Sequence, residues 1–117
     1  MTETELLRQY EKLRQELLET GPICEGSLTR VLQECGRPAC HCHREPRFRH
    51  GPYYLWTRKV KGKTVTRQIP ETHVAQCRAW IQNNRRLTRI VRRMRTMALR
   101  AAPWNRPLPA RKNPEPL

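Results

Sequence analysis

The chain has 117 residues, of which 37% are hydrophobic and 6% aromatic, and its 24 lysines and arginines against 10 acidic residues give a formal net charge of +14. A chain this short and polar predicts one small domain whose core needs a staple, either a metal ion or a second subunit. It contains no run of 18 apolar residues and no apolar segment after Met1. We therefore expect neither a membrane span nor a signal peptide.

The charge is distributed unevenly along the chain. Residues 1–20 hold five acids and three bases, whereas the other 97 residues hold 21 bases and five acids and sum to +16. So large an excess of one sign repels itself unless a polyanion neutralises it. Nucleic acid is the commonest such partner, and a solvated basic surface or an acidic protein partner are the alternatives.

The N-terminal segment, residues 1–22, predicts an amphipathic helix over residues 3–19. Thr2 and Glu5 have the spacing of a capping box. Apolar side chains recur at helical intervals between them and Gly21-Pro22, which ends the helix. We interpret this segment as a core helix.

The middle of the chain predicts a β-hairpin. Leu28 to Leu32 favour a short strand or turn, and Tyr53 to Val60 is rich in strand-forming residues. Lys61-Gly62 indicates a tight turn, after which Thr64 to Ile69 alternates between apolar and polar side chains. An isolated hairpin is barely stable, so it must pack on other elements.

A second, basic helix is predicted from Pro70 to Leu99, with an apolar stripe that we expect to pack on the first helix, on a second copy of the chain, or on both. A homodimer or a protein partner at this stripe therefore stays open, and Trp80 is expected to anchor the core. Ile81, Ile90 and Met97 widen the stripe, which repeats at intervals of three and four residues: Cys77, Trp80, Asn84, Leu87, Val91, Met94 and Ala98. Residues 23–100 are predicted to form one domain with the first helix, and residues 101–117, rich in proline and basic residues, a disordered tail.

Three of the five cysteines lie close together, at Cys35, Cys40 and Cys42, and His50 follows them. An odd number of cysteines with this clustering argues against a secreted disulfide scaffold and favours a reducing, cytoplasmic compartment. Thiolate sulfur and imidazole nitrogen are the ligands that zinc prefers in a closed tetrahedral site. The spacing therefore predicts one zinc ion held by these four residues.

Other residues compete with His50 for the fourth position. His41 and His43 each neighbour Cys42, which strains simultaneous coordination, whereas His50 would tie the metal loop to the first strand of the hairpin. Cys24 is a further alternative. Glu34 and Glu45 are the nearest acids, and neither has the spacing of a general base beside a catalytic zinc. We therefore predict that the protein is not an enzyme.

Gly26-Ser27-Leu28, residues 35–42 and residues 50–54 together resemble the signature of a small bacterial domain family of unknown function. Its pattern is Gly-Ser-Leu, then Cys-Gly-Lys/Arg-Pro-x-Cys-x-Cys, then His-Gly-Pro-Tyr-Tyr and a hairpin rich in Trp and Arg. The resemblance covers about residues 26–95. It implies the same zinc ligands and the same order of hairpin and helix, and it implies a DNA-linked role beside mobile elements and transposases.

Cationic side chains concentrate on the hairpin and on the second helix. An aromatic strand flanked by cations allows bases to stack while phosphates are neutralised, and a basic helix can follow a groove or a phosphate backbone. The candidate nucleic-acid-binding residues on the hairpin are Tyr54, Trp56, Arg58, Lys59, Lys61, Lys63 and Arg67. Those on the helix are Arg85, Arg86, Arg89, Arg92 and Arg93.

The sequence thus predicts an α+β fold, in which a small zinc-stapled β-hairpin domain is flanked by an N-terminal helix and a long basic C-terminal helix. The predicted function is non-catalytic binding of nucleic acid, with DNA favoured over RNA, as an accessory to a mobile-element enzyme. The alternative is a protein-interaction adaptor that binds a helical or acidic partner through the apolar stripe.

Overall fold

The computed structural model describes residues 1–107. Its helices α1 and α2 cover Glu3–Leu18 and Val74–Ala101, and its strands β1, β2 and β3 cover Ser27–Gln33, His50–Val60 and Lys63–Ile69. Single 3-10 turns stand at His41–His43, Pro46–Phe48, Glu71–His73 and Pro103–Asn105. This order confirms the predicted α+β class, with one helix before the sheet and one after it along the chain.

The chain divides into two compact units. One contains residues 1–19 and the chain from Leu87 onward, and the other contains residues 20–86. Helix α2 contributes its first half to the second unit and its second half to the first. The predicted tail begins at the end of α2, and its residues 108–117 lie outside the described part of the chain. None of the helices within residues 1–107 combines the length and the apolar character needed to cross a membrane.

Helix α1 begins at the predicted capping box. The Thr2 hydroxyl accepts a hydrogen bond from the Glu5 backbone N–H at 3.2 Å, and the Glu5 carboxylate accepts one from the Thr2 N–H at 3.2 Å. Two donors that an α-helix leaves unpaired at its start are thereby satisfied. Leu6 and Leu13, two turns apart, are buried, and so is Ile90 on the half of α2 that belongs to this unit.

The three strands form one antiparallel sheet in the order β1-β2-β3. The hairpin turn is confirmed at Lys61-Gly62, since Val60 pairs with Lys63 and both turn residues have positive φ, 51° and 80°. A two-residue turn of this kind matches the right-handed twist of the strands. β1 extends the hairpin into a sheet by pairing along β2, and it is longer than the predicted short strand or turn.

Cross-strand register determines which side chains share a face of the sheet. Leu28 pairs with Trp56, and Tyr54 pairs with Ile69. Because alternate residues of a strand point the same way, these four side chains lie on one face. Trp56 and Ile69 line a common cavity with Trp80 of α2, so this face is the one that packs on the helix.

The first half of α2 is attached to the chain before β1 by hydrogen bonds. The Cys24 N–H donates to the Trp80 carbonyl at 3.0 Å, and the Asn83 side-chain amide donates to the Pro22 carbonyl at 2.8 Å. Val74 and Ile81 are the buried apolar side chains of this half. Trp80, which we expected to anchor the core, is 37% exposed, because the helix turns Ile81 inward instead.

Candidate metal centre

Strand pairing brings the ends of the cysteine loop together. Cys35 lies just beyond the end of β1, and His50 is the first residue of β2, where it pairs with Gln33. The chain between the strands makes a 3-10 turn whose first position follows Cys40 and whose middle residue is Cys42. The four predicted ligands therefore come from the ends of two paired strands and from the turn between them.

The four ligand atoms lie within 4.8 Å of one another. Cys35 Sγ and Cys42 Sγ are 3.6 Å apart, and Cys40 Sγ and His50 Nε2 are 3.4 Å apart. Two sulfurs bound to one tetrahedral zinc stand about 3.8 Å apart, and a sulfur and a nitrogen about 3.5 Å apart, given the usual bond lengths. Cys35, Cys40, Cys42 and His50 could therefore hold a metal ion.

Cys42 is the most deeply buried ligand, at 1% exposure. Its sulfur accepts a hydrogen bond from the Cys35 backbone N–H at 3.2 Å. A backbone donor aimed at a thiolate stabilises its negative charge and orients the ligand toward the metal. Burial and this hydrogen bond give the site one rigid ligand, around which the remaining three are more accessible.

The cysteine thiols differ in acidity when no cation is bound. Burial raises the pKa of the Cys42 thiol to about 11, although the hydrogen bond from Cys35 opposes the shift. The hydrogen bond from the Cys42 backbone, helped by His50, lowers the pKa of Cys40 to about 6. Cys40 is thus the thiolate available first at neutral pH, and Cys42 would have to lose its proton to become a metal ligand.

His43 braces the loop rather than joining the ligand group. Its Nδ1 lies 3.0 Å from the Glu34 carboxylate, and its Nε2 donates to the Cys35 carbonyl at 2.8 Å. Both ring nitrogens are therefore engaged with groups on the other side of the loop. Sequence reasoning missed this supporting pair, and the one signal for it is that Glu34 and His43 each lie next to a predicted cysteine ligand, Cys35 and Cys42.

The other alternative ligands lie apart from the group. The His41 ring is 5.7 Å from the Phe48 ring, and Cys24 Sγ contacts the Glu25 carbonyl at 3.5 Å. Within residues 1–107, the group of four is the one whose atoms converge as metal ligands. The geometry therefore favours His50 as the fourth ligand over the three residues that competed with it.

The backbone conformation and close contacts at position 51 explain why a glycine follows His50. Its φ is +125°, and a Cβ at this position would stand 2.8 Å from the Val31 carbonyl oxygen and 3.0 Å from the Tyr53 nitrogen. Only a residue without a side chain allows the start of β2 to approach β1 this closely. The glycine thus positions His50 against the loop.

A model of a domain family of unknown function, DUF6788, matches residues 3–79. The chain belongs to that family. The DUF6788 match contains α1, the whole sheet and all four grouped ligands, and it ends near the start of α2. The arginines of α2 beyond residue 79 therefore lie outside the matched segment. A comparison with curated proteins and one with solved structures each gave no match.

The predicted nucleic-acid-binding residues occupy different environments. Tyr54, Trp56 and Arg58 are half-buried. The Trp56 Nε1 donates to the Glu25 carbonyl at 2.8 Å, and the Arg58 guanidinium lies 4.8 Å from the centre of the Trp56 ring. One edge and one face of that ring are thus already in use. The remaining predicted residues are exposed: Lys59, Lys61, Lys63, Arg67, Arg85, Arg86, Arg89, Arg92 and Arg93.

Proposed function

We propose that this protein is a zinc-stapled, non-catalytic nucleic-acid-binding protein, with DNA favoured over RNA. The observation that carries the proposal is the arginine surface of α2. Eight arginines between residues 78 and 100 are exposed, and residues 72–107 contain no acidic residue. A helix that carries eight exposed guanidinium groups and no carboxylate of its own favours a polyanion with regularly spaced phosphates.

The ligand set supports a structural zinc. Three cysteines and one histidine would complete the tetrahedral shell of a zinc ion, which would leave no position open for a reacting water. The nearest carboxylates also have other partners, since Glu45 pairs with Arg47 at 2.6 Å and Glu34 pairs with His43. This arrangement supports a staple that holds the β1–β2 loop rather than a reaction centre.

Spacing along α2 supports contacts with a phosphate backbone. Arg85, Arg89 and Arg92 follow intervals of four and three residues, so they share one side of the helix. Contacts of this kind release counterions and carry no sequence information by themselves. We therefore propose binding that is strong at low salt and weakly dependent on base sequence. The accessory role beside a mobile-element enzyme rests on the family resemblance alone.

Binding is tested by fluorescence anisotropy with labelled duplex DNA and RNA across a series of salt concentrations. Replacing Arg85, Arg89 and Arg92 by glutamine should make the dependence of the binding constant on salt less steep. The magnitude of the negative slope of log K against log salt should fall by about 0.9 for each phosphate that is no longer neutralised. The matched control replaces Arg8, Lys12 and Arg14 of α1 by glutamine, which removes the same charge. Absence of binding at low salt, or an equal reduction in the control, contradicts the proposal.

A second candidate function is the binding of a protein partner. An apolar cavity of about 310 Å³ favours it, and Trp80 stands 37% exposed at this cavity. The cavity is lined by Cys24, Trp56, Ile69, Pro70, His73, Gln76, Cys77 and Trp80. Concave apolar surfaces with exposed tryptophan are typical of interaction sites. Sedimentation over a range of protein concentrations tests the simplest form, a homodimer.

A further inference from the structure

A small cavity lies between β1 and the first half of α2, entirely within residues 20–86. Its volume is about 220 Å³. Leu28 of β1 and Ile81 of α2 give it apolar walls, and Ile81 is itself 4% exposed. Arg78, Gln82 and Arg85 of α2 supply its polar lining.

The three polar residues lie on one side of the helix, with Gln82 between the two arginines. Intervals of four and three residues place Arg78, Gln82 and Arg85 on one side of α2. At 1.5 Å per residue, the Cα atoms of the two arginines are about 10.5 Å apart along the axis, with Gln82 between them. Two guanidinium groups can thus approach one central group from opposite ends, while the amide of Gln82 donates from the middle.

The charge of the cavity is unbalanced. Its lining residues within the described part of the chain include no acid, and residues 72–107 contain none at all. Two like charges beside apolar walls repel each other, and a cleft of one sign with low-dielectric walls concentrates the opposite ion. Guanidinium forks match phosphate oxygens in planar, paired hydrogen bonds. The cavity therefore favours a phosphate group over a neutral ligand.

The volume of the cavity restricts the size of the ligand that it can hold. Sites for drug-sized molecules have volumes of about 300–1,000 Å³, which exceed this one. We propose that the cavity is a phosphate-binding subsite, in which one phosphodiester group of a nucleic-acid strand lies between Arg78 and Arg85 and accepts a hydrogen bond from the Gln82 amide. This inference rests on the proposed function, and it adds Arg78 and Gln82 to the predicted binding residues.

Gln82→Glu is the sharpest test because it keeps the side-chain size and places a carboxylate between the two arginines. The carboxylate competes with the phosphate for both guanidinium groups, so affinity for duplex DNA at low salt should fall by about tenfold or more, and the salt slope by about 0.9 for the one phosphate displaced. The matched control is Gln15→Glu, the same change at an exposed glutamine of α1 that does not line the cavity. It should change affinity by less than about twofold. Equal reductions in the two variants overturn the subsite.

Titration of the unmodified protein with inorganic phosphate, followed by NMR, tests the cavity without nucleic acid and without a variant that must fold. Chemical-shift changes should concentrate at the Gln82 side-chain amide and at the Nε–H groups of Arg78 and Arg85. A uniform or absent response overturns the subsite. Normal DNA binding by Gln82→Glu overturns the subsite and leaves the proposed function intact. Phosphate binding without any nucleic-acid binding refutes the proposed function and leaves the phosphate site standing.

Discussion

The two compact units differ in the kind of side chain that each buries most deeply. In residues 20–86 the most buried side chain is Cys42, a candidate metal ligand at 1% exposure. In the other unit the buried side chains are apolar, with Leu6 and Leu13 on α1 and Ile90 on α2. In one unit four side chains converge that could hold a metal ion and so compensate for a lean hydrophobic core, whereas the other unit depends on helix packing and on a well-capped helix start.

Removal of the metal should have the largest effect on stability, and it should affect the unit of residues 20–86 more than the other unit. A structural zinc site contributes an apparent binding free energy on the order of 10 kcal/mol. We expect Cys40→Ser, or chelation of the native protein, to abolish the cooperative unfolding of the sheet while helical circular dichroism from α1 partly persists. Metal analysis by mass spectrometry should return about one zinc per chain.

Cys77→Ser is the control for that experiment, because Cys77 is half-buried on α2 and stands outside the ligand group. It should retain the zinc and the cooperative transition. If the chelated protein melts as the native one does, the sheet unit does not depend on the metal and the contrast between the units disappears.

Loss of the His43 brace should have an intermediate effect. His43→Ala removes the hydrogen bonds to Glu34 and to the Cys35 carbonyl, and removal of such outer partners typically weakens metal affinity by about 10- to 100-fold. Competition with a chromogenic chelator measures the change. His73→Ala, at a histidine outside the ligand group, is the control and should leave metal affinity unchanged. Equal metal affinities in the native protein and in both variants would show that His43 does not support the metal site.

The smallest effect should appear in the helical unit. Thr2→Ala removes the side-chain cap of α1 and should lower the free energy of unfolding by about 1 kcal/mol. Since the cap bonds only within the first turn of α1, zinc affinity should stay the same. Thermal unfolding of Thr2→Ala and of Thr4→Ala, an exposed neighbour inside the helix, gives the comparison. A change in zinc affinity in Thr2→Ala would contradict the prediction that the two units are stabilised independently.

Features governed by neighbouring residues were predictable from the sequence. The capping box at Thr2 and Glu5, the turn at Lys61-Gly62 and the grouping of three cysteines each depend on a few residues close along the chain. His50 was a harder case, since three other residues could have taken its place. Strand pairing between Gln33 and His50 favours it, and that pairing joins residues far apart in the chain.

The apolar stripe of α2 shows why other features were not predictable. A regular interval of three and four residues assumes one partner along the whole helix, and it placed Trp80 on the stripe as an anchor of the core. Helix α2 instead serves two units with separate cores, so Ile81 and Ile90, which only widened the predicted stripe, are buried while Trp80 stays partly exposed. Periodicity reports an apolar face, and the partner elements decide which residues of that face are covered.

Residue order alone was sufficient for the two helices, the hairpin, their sequence along the chain, the cysteine cluster and the excess of cations, because each is a property of composition or of local spacing. Tertiary contacts were required for the fourth metal ligand, the support from His43, the sheet face that meets α2 and the cavity beside Gln82. Each of these depends on bringing side chains from distant segments within a few ångströms, and pairing of strands and packing of a helix on a sheet are what set those distances.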